Sequence, residues 1–324
     1  MITTVVGNYP KIGVKTKAPN LRTAIGRFDR GEISDDELRG VKEEVTKEVI
    51  QEQTEAGIEL ITDGQVRWDD GQTYFASKIN GFTLSGLLRY FDTNTYYRQP
   101  VAEGPLSWRE PITVEDFQFA VAHSSRPVKP VITGPYTLAR LSRTEHHADL
   151  THLALELAET LNREAQELEK SGATVIQFDE PAILKWPEDY PLFREVVARL
   201  TRGLNSTLCL YTYFGDVAAI GPDFFQLPFQ VFGLDFVKGP ANWGTLKEFP
   251  RDRWLAMGIM DARNTKLETV EELVELVRRA KEHVPLSHLY VNPSCGLEFL
   301  PREVAQRKLT RLVEGAKQAQ EILQ

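Results

Sequence analysis

The sequence predicts an α/β fold, a (β/α)₈ barrel. Short runs rich in β-branched residues alternate along the 324 residues with longer amphipathic segments, and eight such runs can be counted. Strand and helix alternating in this way is what a barrel of parallel strands requires. An open doubly wound sheet usually carries a glycine-rich turn after its first strand, and GNYPKIG at 7–13 is not such a turn. The predicted strands are ITTVV (2–6), IELIT (58–62), PVITG (130–134), TVIQF (174–178), LCLYT (208–212), FGLDFV (232–237), WLAMG (254–258) and LYVN (289–292).

Three of the intervening segments predict helices with defined ends. Ser34 and Glu37 have the spacing of a capping box and precede an apolar stripe at helical spacing. A leucine stripe over 150–168 stops before Gly172, a residue typical of helix ends. The last helix opens at Pro301, since proline suits a first helical turn.

The region between the second and third strands is too long for a plain connection. Residues 63–130 contain aromatic and arginine clusters such as RYFDTNTYYRQP. Long segments of this kind usually fold as functional excursions. We therefore expect one barrel over 1–324, with 63–130 as an excursion that covers the barrel mouth.

Composition excludes several classes of partner. The net charge of −8 and the lack of a basic tract argue against non-specific nucleic-acid binding. No apolar run approaches 18 residues, so no membrane partner is expected. Two cysteines form no disulfide framework, and the amino terminus does not read as a signal peptide, which favours a cytoplasmic protein.

Reacting groups of a barrel lie at the carboxyl ends of its strands, so polar residues that follow strands are the candidate site. Asp179 and Glu180 of the DEPA motif follow TVIQF. One of them could hold a substrate ammonium; the alternative is that they pair with nearby arginines or cap the next helix. The loop DGQVRWDD (63–70) predicts recognition or, equally, simple turn chemistry around Asp63 and Gly64.

Cys295 lies in VNPSCGLEF (291–299), directly after the last predicted strand. A thiol at such a turn could react or bind metal, and the alternative is a buried, inert thiol. Cys295 and Asp235 are the candidate zinc ligands, because catalytic zinc usually takes three protein ligands of sulfur, nitrogen or oxygen type. The histidines provide no third ligand at a predictable position.

Several motifs together resemble the cobalamin-independent methionine synthase family. They span almost the whole chain and comprise TGPYTLARLS, IQFDEPA, TYFGD, LDFVKGPAN, MGIMDARN and VNPSCGL. The resemblance implies a barrel that binds homocysteine and methylates its thiol. Full-length members have two similar barrels, of which the carboxyl-terminal one carries zinc, so this chain is similar to a single-barrel relative.

Carried over by motif, the resemblance implies specific site residues. The amino and carboxylate groups of homocysteine would be held at Val6, Gly7 and Asn8, at Gln65, and at Asp179. The His-x-Cys pair of zinc ligands in the catalytic barrel is replaced here by Tyr211-Thr212-Tyr213. Tyr211 and Tyr213 are therefore expected to contact substrate.

The remaining positions of that family's catalytic site also differ. A glutamate ligand is replaced by Asp235, while the last cysteine ligand is retained as Cys295. A histidine proposed as an acid is replaced by Arg263, and a tryptophan that faces the folate by Leu141. Cys295, Asp235 and Arg263 would thus form the catalytic group.

Two functions follow from this resemblance. The first is a homocysteine methyltransferase, with zinc as a candidate metal and methylcobalamin or a corrinoid protein as the expected donor in place of methylfolate. The second is a non-catalytic or substrate-binding barrel that needs a separate zinc-bearing barrel as partner, because TYFGD, LDFVKGPAN and ARN are closer to the family's amino-terminal barrel. Arg67, Lys238 and Arg263 are candidate cations for a bound thiolate.

Overall fold

The computed structural model describes residues 1–13 and 20–324. Seven parallel strands form one sheet; they are β1 (Ile2–Thr3), β4 (Val131–Thr133), β6 (Val175–Asp179), β7 (Thr207–Tyr211), β8 (Val231–Asp235), β9 (Trp254–Met260) and β10 (Leu289–Pro293). Their order is β1-β10-β9-β8-β7-β6-β4, so the first strand pairs with the last. A separate three-stranded sheet contains β2 (Ile79–Arg89), β3 (Tyr96–Trp108) and β5 (Arg143–Thr144).

Residues 60–61 occupy the eighth strand position and close the barrel. Leu60 forms a parallel bridge with Thr4, just after β1, and Ile61 forms one with Val128, just before β4. The Lys129 amide donates to the carbonyl of Ile61 over 2.9 Å, which continues the ladder around the ring. The prediction of an eight-stranded parallel barrel is confirmed.

Ten α-helices alternate with the strands or cap the barrel. Their bounds are α1 (Leu21–Asp29), α2 (Asp35–Glu55), α3 (Gly71–Ala76), α4 (Val114–Ala122), α5 (Pro135–Arg140), α6 (Leu150–Lys170), α7 (Tyr190–Leu200), α8 (Asn242–Thr245), α9 (Val270–Lys281) and α10 (Arg302–Leu323), counted over the described residues.

Helix ends follow the sequence signals. α2 begins after Ser34, whose hydroxyl accepts from the Glu37 amide at 3.2 Å while the Glu37 carboxylate accepts from the Ser34 amide at 2.8 Å. α6 ends before Gly172, which has a φ of +95°. Pro301 is the residue before the first turn of α10 rather than part of it. No helix in the described part of the chain has both the length and the apolarity that a bilayer span needs.

The excursion, residues 63–130, contains α3, the antiparallel β2–β3 hairpin and α4. The segment between β3 and α4 is attached to α6 by one carboxylate. Glu164, which is fully buried, accepts from the amides of Ile112 at 2.8 Å and Thr113 at 2.7 Å and from the Trp108 indole at 3.0 Å. Because α6 packs against α5 and α7, this contact holds the end of β3 and the start of α4 against the outer helices. The division of the chain into one barrel with an excursion stays a prediction.

Candidate active site at the barrel mouth

A cavity of about 480 Å³ opens at the carboxyl ends of the strands. Its volume lies within the range of small-molecule pockets, roughly 300–1,000 Å³. Asp179 at the end of β6 and Tyr213 after β7 form its floor together with residues from the first and last strand ends and from the hairpin. The lining residues are Val6, Asn8, Tyr9, Pro10, Lys11, Ile12, Gln65, Trp68, Asp69, Asp70, Gly71, Tyr90, Thr95, Tyr96, Thr133, Asp179, Tyr213, Gly296, Glu298 and Leu300.

Asp179 presents the most enclosed carboxyl group of this lining that also has hydrogen-bond partners. It is 9% exposed, accepts from Gln177 Nε2 over 2.7 Å and accepts from the Tyr213 hydroxyl over 3.3 Å. Burial raises the pKa of its carboxyl to about 7, although both hydrogen bonds and the nearby Lys129 ammonium oppose this rise. A carboxylate that is desolvated and faces a cavity can be compensated by a ligand cation.

The first strand end and Gln65 form the adjoining wall. Val6, Asn8 and Gln65 line the cavity, whereas Gly7 lies behind it. A Cβ at Gly7 would lie 2.6 Å from Gln65 Nε2, so only glycine lets this amide lie against the strand end. The Oδ1 atom of Asn8 is buried without a hydrogen-bond partner and is available to a ligand donor.

Glu298 and Lys11 form a second polar group that the sequence interpretation missed. One Glu298 oxygen is buried without a hydrogen-bond partner, and burial raises the pKa of this carboxyl to about 7. Lys11 donates to the carbonyl of Trp68, and burial lowers the pKa of its ammonium to about 8. Glu298 lies within the singled-out VNPSCGLEF segment, and Lys11 follows the first strand, so position at a strand end was the available signal.

The hairpin tip contributes aromatic rings to the mouth. Tyr90 and Phe91 pack against Phe214, with ring centroids 6.3 Å and 5.8 Å away. The Arg263 guanidinium lies 5.5 Å from the Phe214 ring centroid and donates to the carbonyl of Asp92 at 2.5 Å. Arg263, predicted to be catalytic, therefore contacts the hairpin tip and does not line the cavity.

The predicted metal ligands do not form a metal site. Among residues 1–13 and 20–324, no three His, Cys, Asp or Glu side chains come together in a way that could hold an ion. Asp235 accepts from the amides of Phe214, Val237 and Lys238 at 2.8–3.0 Å, so its oxygens stabilise a turn. Cys295 is 1% exposed, and burial raises the pKa of its thiol.

Tyr211 and Tyr213, which were expected to contact substrate, have different surroundings. Tyr213 lines the cavity, whereas Tyr211 is 1% exposed and lies beneath it, with its hydroxyl 3.4 Å from Lys129 Nζ. Burial raises the pKa of both phenols well above the ordinary value, so neither phenol is an anionic ligand at neutral pH. The residues present thus do not fit a catalytic zinc of three protein ligands.

The two acids of the DEPA motif separate into different roles. Asp179 faces the cavity, but Glu180 is fully buried and accepts from the amides of Tyr136 at 2.9 Å and Thr137 at 2.7 Å at the start of α5. Glu180 therefore caps a helix, but this is α5, which precedes the motif, and not the next helix along the chain as the alternative had it. Gly134 is required beside it, since a Cβ there would lie 2.1 Å from Glu180 Cδ.

Two of the proposed thiolate cations are not free at the mouth. Arg67 pairs with Asp116 at 3.0 Å and with Glu115 at 3.1 Å, both within the excursion. Arg263 contacts the hairpin, as described above. Among the described residues, Lys11 is the only lysine or arginine that lines the cavity.

Comparison with known sequences gives one family match over residues 1–318, to a family described as cobalamin-independent synthase, catalytic domain. A methionine synthase from Saccharolobus solfataricus is 34% identical over 326 residues, covering 99% of this chain and 95% of the relative. A methionine synthase from Thermococcus kodakarensis is 31% identical, covering 97% and 91% of the two chains.

Solved structures share the fold. A B12-independent methionine synthase from Shewanella sp. W3-18-1, solved in complex with selenomethionine, aligns with a TM-score of 0.86 and 24% identity over 99% of this chain and 98% of its own. A putative vitamin-B12 independent methionine synthase from Listeria monocytogenes aligns with a TM-score of 0.78 and 20% identity over 98% of each chain. The expectation of a methylcobalamin or corrinoid donor conflicts with the cobalamin-independent description of these proteins.

Proposed function

Because the chain belongs to the cobalamin-independent methionine synthase family, we propose that it transfers a methyl group to the thiol of homocysteine and so forms methionine. The proposal rests on the Asp179 carboxyl, which is buried at the floor of the mouth cavity and lacks a cationic partner within ion-pair distance in the described chain. The ammonium of an amino acid is such a partner. Val6, Asn8 and Gln65 would hold the remaining polar atoms of the amino acid.

Residues of the cavity wall also support the reaction, because they would favour the thiolate form of a bound thiol. A free thiol has a pKa near 8.5, so only a few per cent is thiolate at neutral pH. Lys11 lines the cavity as an ammonium and would stabilise the thiolate form of homocysteine. Tyr90, Tyr96 and Trp68 offer aromatic surface to a planar methyl carrier, and we propose a methylated folate as that donor.

Calorimetry with methionine and homocysteine tests the binding site directly. Removing one partner of a buried charge pair costs about 3–5 kcal/mol, so Asp179→Asn should weaken binding of both amino acids by at least about 100-fold. Asp69→Asn is the matched control, because Asp69 lines the same cavity but is exposed, and it should change affinity by about threefold or less. Wild-type affinity in Asp179→Asn would refute the assignment.

A second function is favoured by the lack of three convergent metal ligands in the part of the chain that the structure describes. In this alternative the chain binds substrate but needs a separate zinc-bearing barrel for methyl transfer. Methionine formation from homocysteine and a methylated folate by the purified chain alone would exclude it. Activity that depends on an added zinc-bearing barrel would establish it.

A further inference from the structure

Lys129 is a buried cation inside the barrel, directly below the cavity floor. It is fully buried, and its ammonium donates to Gln177 Oε1 over 2.5 Å. The Tyr211 hydroxyl lies 3.4 Å away, and the centroid of its ring lies 4.5 Å away. Within the described residues no carboxylate lies within 4.0 Å of this ammonium. A buried charge without a direct counter-ion is costly, so its retention calls for a physical reason.

The Gln177 amide connects this cation to the site. Its nitrogen donates to Asp179 Oδ1 over 2.7 Å and to the carbonyl of Val6 over 2.5 Å. An ammonium can only donate, so Lys129 requires the amide oxygen of Gln177 on its own side. The NH₂ group is thereby directed at Asp179 and Val6. Without Lys129 the amide oxygen loses this donor, and a rotated amide could accept from Asp179 only when that carboxyl is protonated, so Lys129 favours the ionised form.

We propose that Lys129 is a positioning residue for substrate: through Gln177 it orients the Asp179 carboxylate and keeps it ionised for the ammonium of the amino acid. This proposal rests on the proposed function, because it assigns the ammonium to Asp179. It adds a residue that touches neither substrate nor donor.

Electrostatics gives the proposal a measurable consequence. Burial raises the pKa of Asp179 to about 7, and the Lys129 charge opposes that rise. Affinity for an ammonium ligand is therefore present above this pKa and is lost as the pH falls through it. Removing Lys129 raises the pKa of Asp179 further, so affinity should be lost at a higher pH.

Other titratable groups surround this pair. Burial raises the pKa of Glu298 to about 7 and that of Glu180 to about 8, so both titrate close to Asp179. Burial lowers the pKa of Lys129 itself to about 8. The phenol and thiol groups facing Asp179 or Lys129 have pKa values raised by burial and stay neutral near pH 7; they are Tyr90, Tyr213, Tyr211 and Cys209.

The test is methionine affinity measured by calorimetry between pH 5.5 and 8.5. We expect Lys129→Met to move the midpoint of the pH profile upward by about one unit, as loss of a nearby opposite charge does. Affinity at pH 6.5 should then fall by about tenfold, whereas at pH 8.5 it should change by about threefold or less. The wild-type protein and Lys129→Met are each also measured with Glu298→Gln added, because this substitution removes the titration of Glu298 from the pH profile.

Lys308→Met is the matched control. Lys308 is also fully buried, but its ammonium pairs with Glu268 at 2.7 Å, between α10 and the loop after β9. Lys308→Met should lower folding stability and leave the midpoint unchanged. An equal loss of affinity at every pH in Lys129→Met, or an unchanged midpoint, would show that Lys129 is merely structural and would overturn the proposal.

A second variant keeps the proposal testable if Lys129→Met does not fold. Gln177→Glu conserves volume and pairs with Lys129, but its carboxylate cannot donate to Asp179. It should raise the midpoint as well, and an unchanged midpoint would count against the proposal. Failure of the wild-type protein to bind methionine at any pH is a different result, since it refutes the proposed function on which this inference rests.

Discussion

The Glu164 carboxyl attaches the excursion to the barrel, and its replacement should loosen the segment that carries Tyr90 and Tyr96 to the cavity. In Glu164→Gln one of the two acceptor oxygens becomes an NH₂ group. The Thr113 hydroxyl can rotate to accept from this group, but a backbone amide of Ile112 or Thr113 is left buried and unpaired. Such a loss costs about 1–3 kcal/mol, and a bond to a charged acceptor is lost as well.

We therefore expect Glu164→Gln to lower the free energy of unfolding by about 2–4 kcal/mol, measured by urea denaturation. Glu159→Gln is the control on the same helix, because its side chain is 64% exposed and pairs with Arg199 at the surface. That control should lose less than about 1 kcal/mol. A loss below about 0.5 kcal/mol in Glu164→Gln would refute the account of how the excursion is held.

Three further predictions concern the site itself. Tyr213→Phe removes the 3.3 Å hydrogen bond to Asp179, so calorimetry should show methionine affinity about threefold lower at pH 7; a loss above about 100-fold would mean that Tyr213 contacts substrate directly. Gly134→Ala places a Cβ 2.1 Å from Glu180 Cδ and should lower the free energy of unfolding, measured by urea denaturation, by at least about 2 kcal/mol, whereas near wild-type stability would show that the Glu180 side chain can move aside. Cys295→Ser should leave methionine affinity within about threefold and metal analysis should find substoichiometric zinc in both proteins; full zinc occupancy lost in the variant would reveal a metal site that the described residues do not explain.

Strand positions could be predicted from sequence because a strand buried on both sides needs a continuous β-branched run. The run at 58–62 illustrates the limit of such a prediction, since it lies at a strand position of the barrel but forms only two isolated bridges. Burial pattern marks where a segment packs and does not report how many ladder hydrogen bonds it completes.

The site was harder to predict, because side-chain direction at a strand end depends on register. Asp179 and Glu180 are adjacent in sequence, yet one faces the cavity and the other α5, as alternation along an extended segment requires. The contribution of Tyr90 depends on how the hairpin folds back, which no local pattern shows. The Lys129–Gln177 contact joins β6 to the segment just before β4, and a glutamine inside the apolar run of β6 was the available signal.

The pairing of β1 with β10 has a consequence for how the protein is made. The cavity joins residues from the first strand end to Gly296 and Glu298, and the Leu297 amide donates to the carbonyl of Asn8 over 2.8 Å. During synthesis from the amino terminus, one edge of β1 stays unpaired until nearly 300 residues have emerged, because its partner is β10. Contacts of such high sequence separation slow folding and leave strand edges exposed meanwhile. Ligand binding is therefore acquired at the end of folding, and nascent chains that stop before β10 would be prone to associate through their open edges.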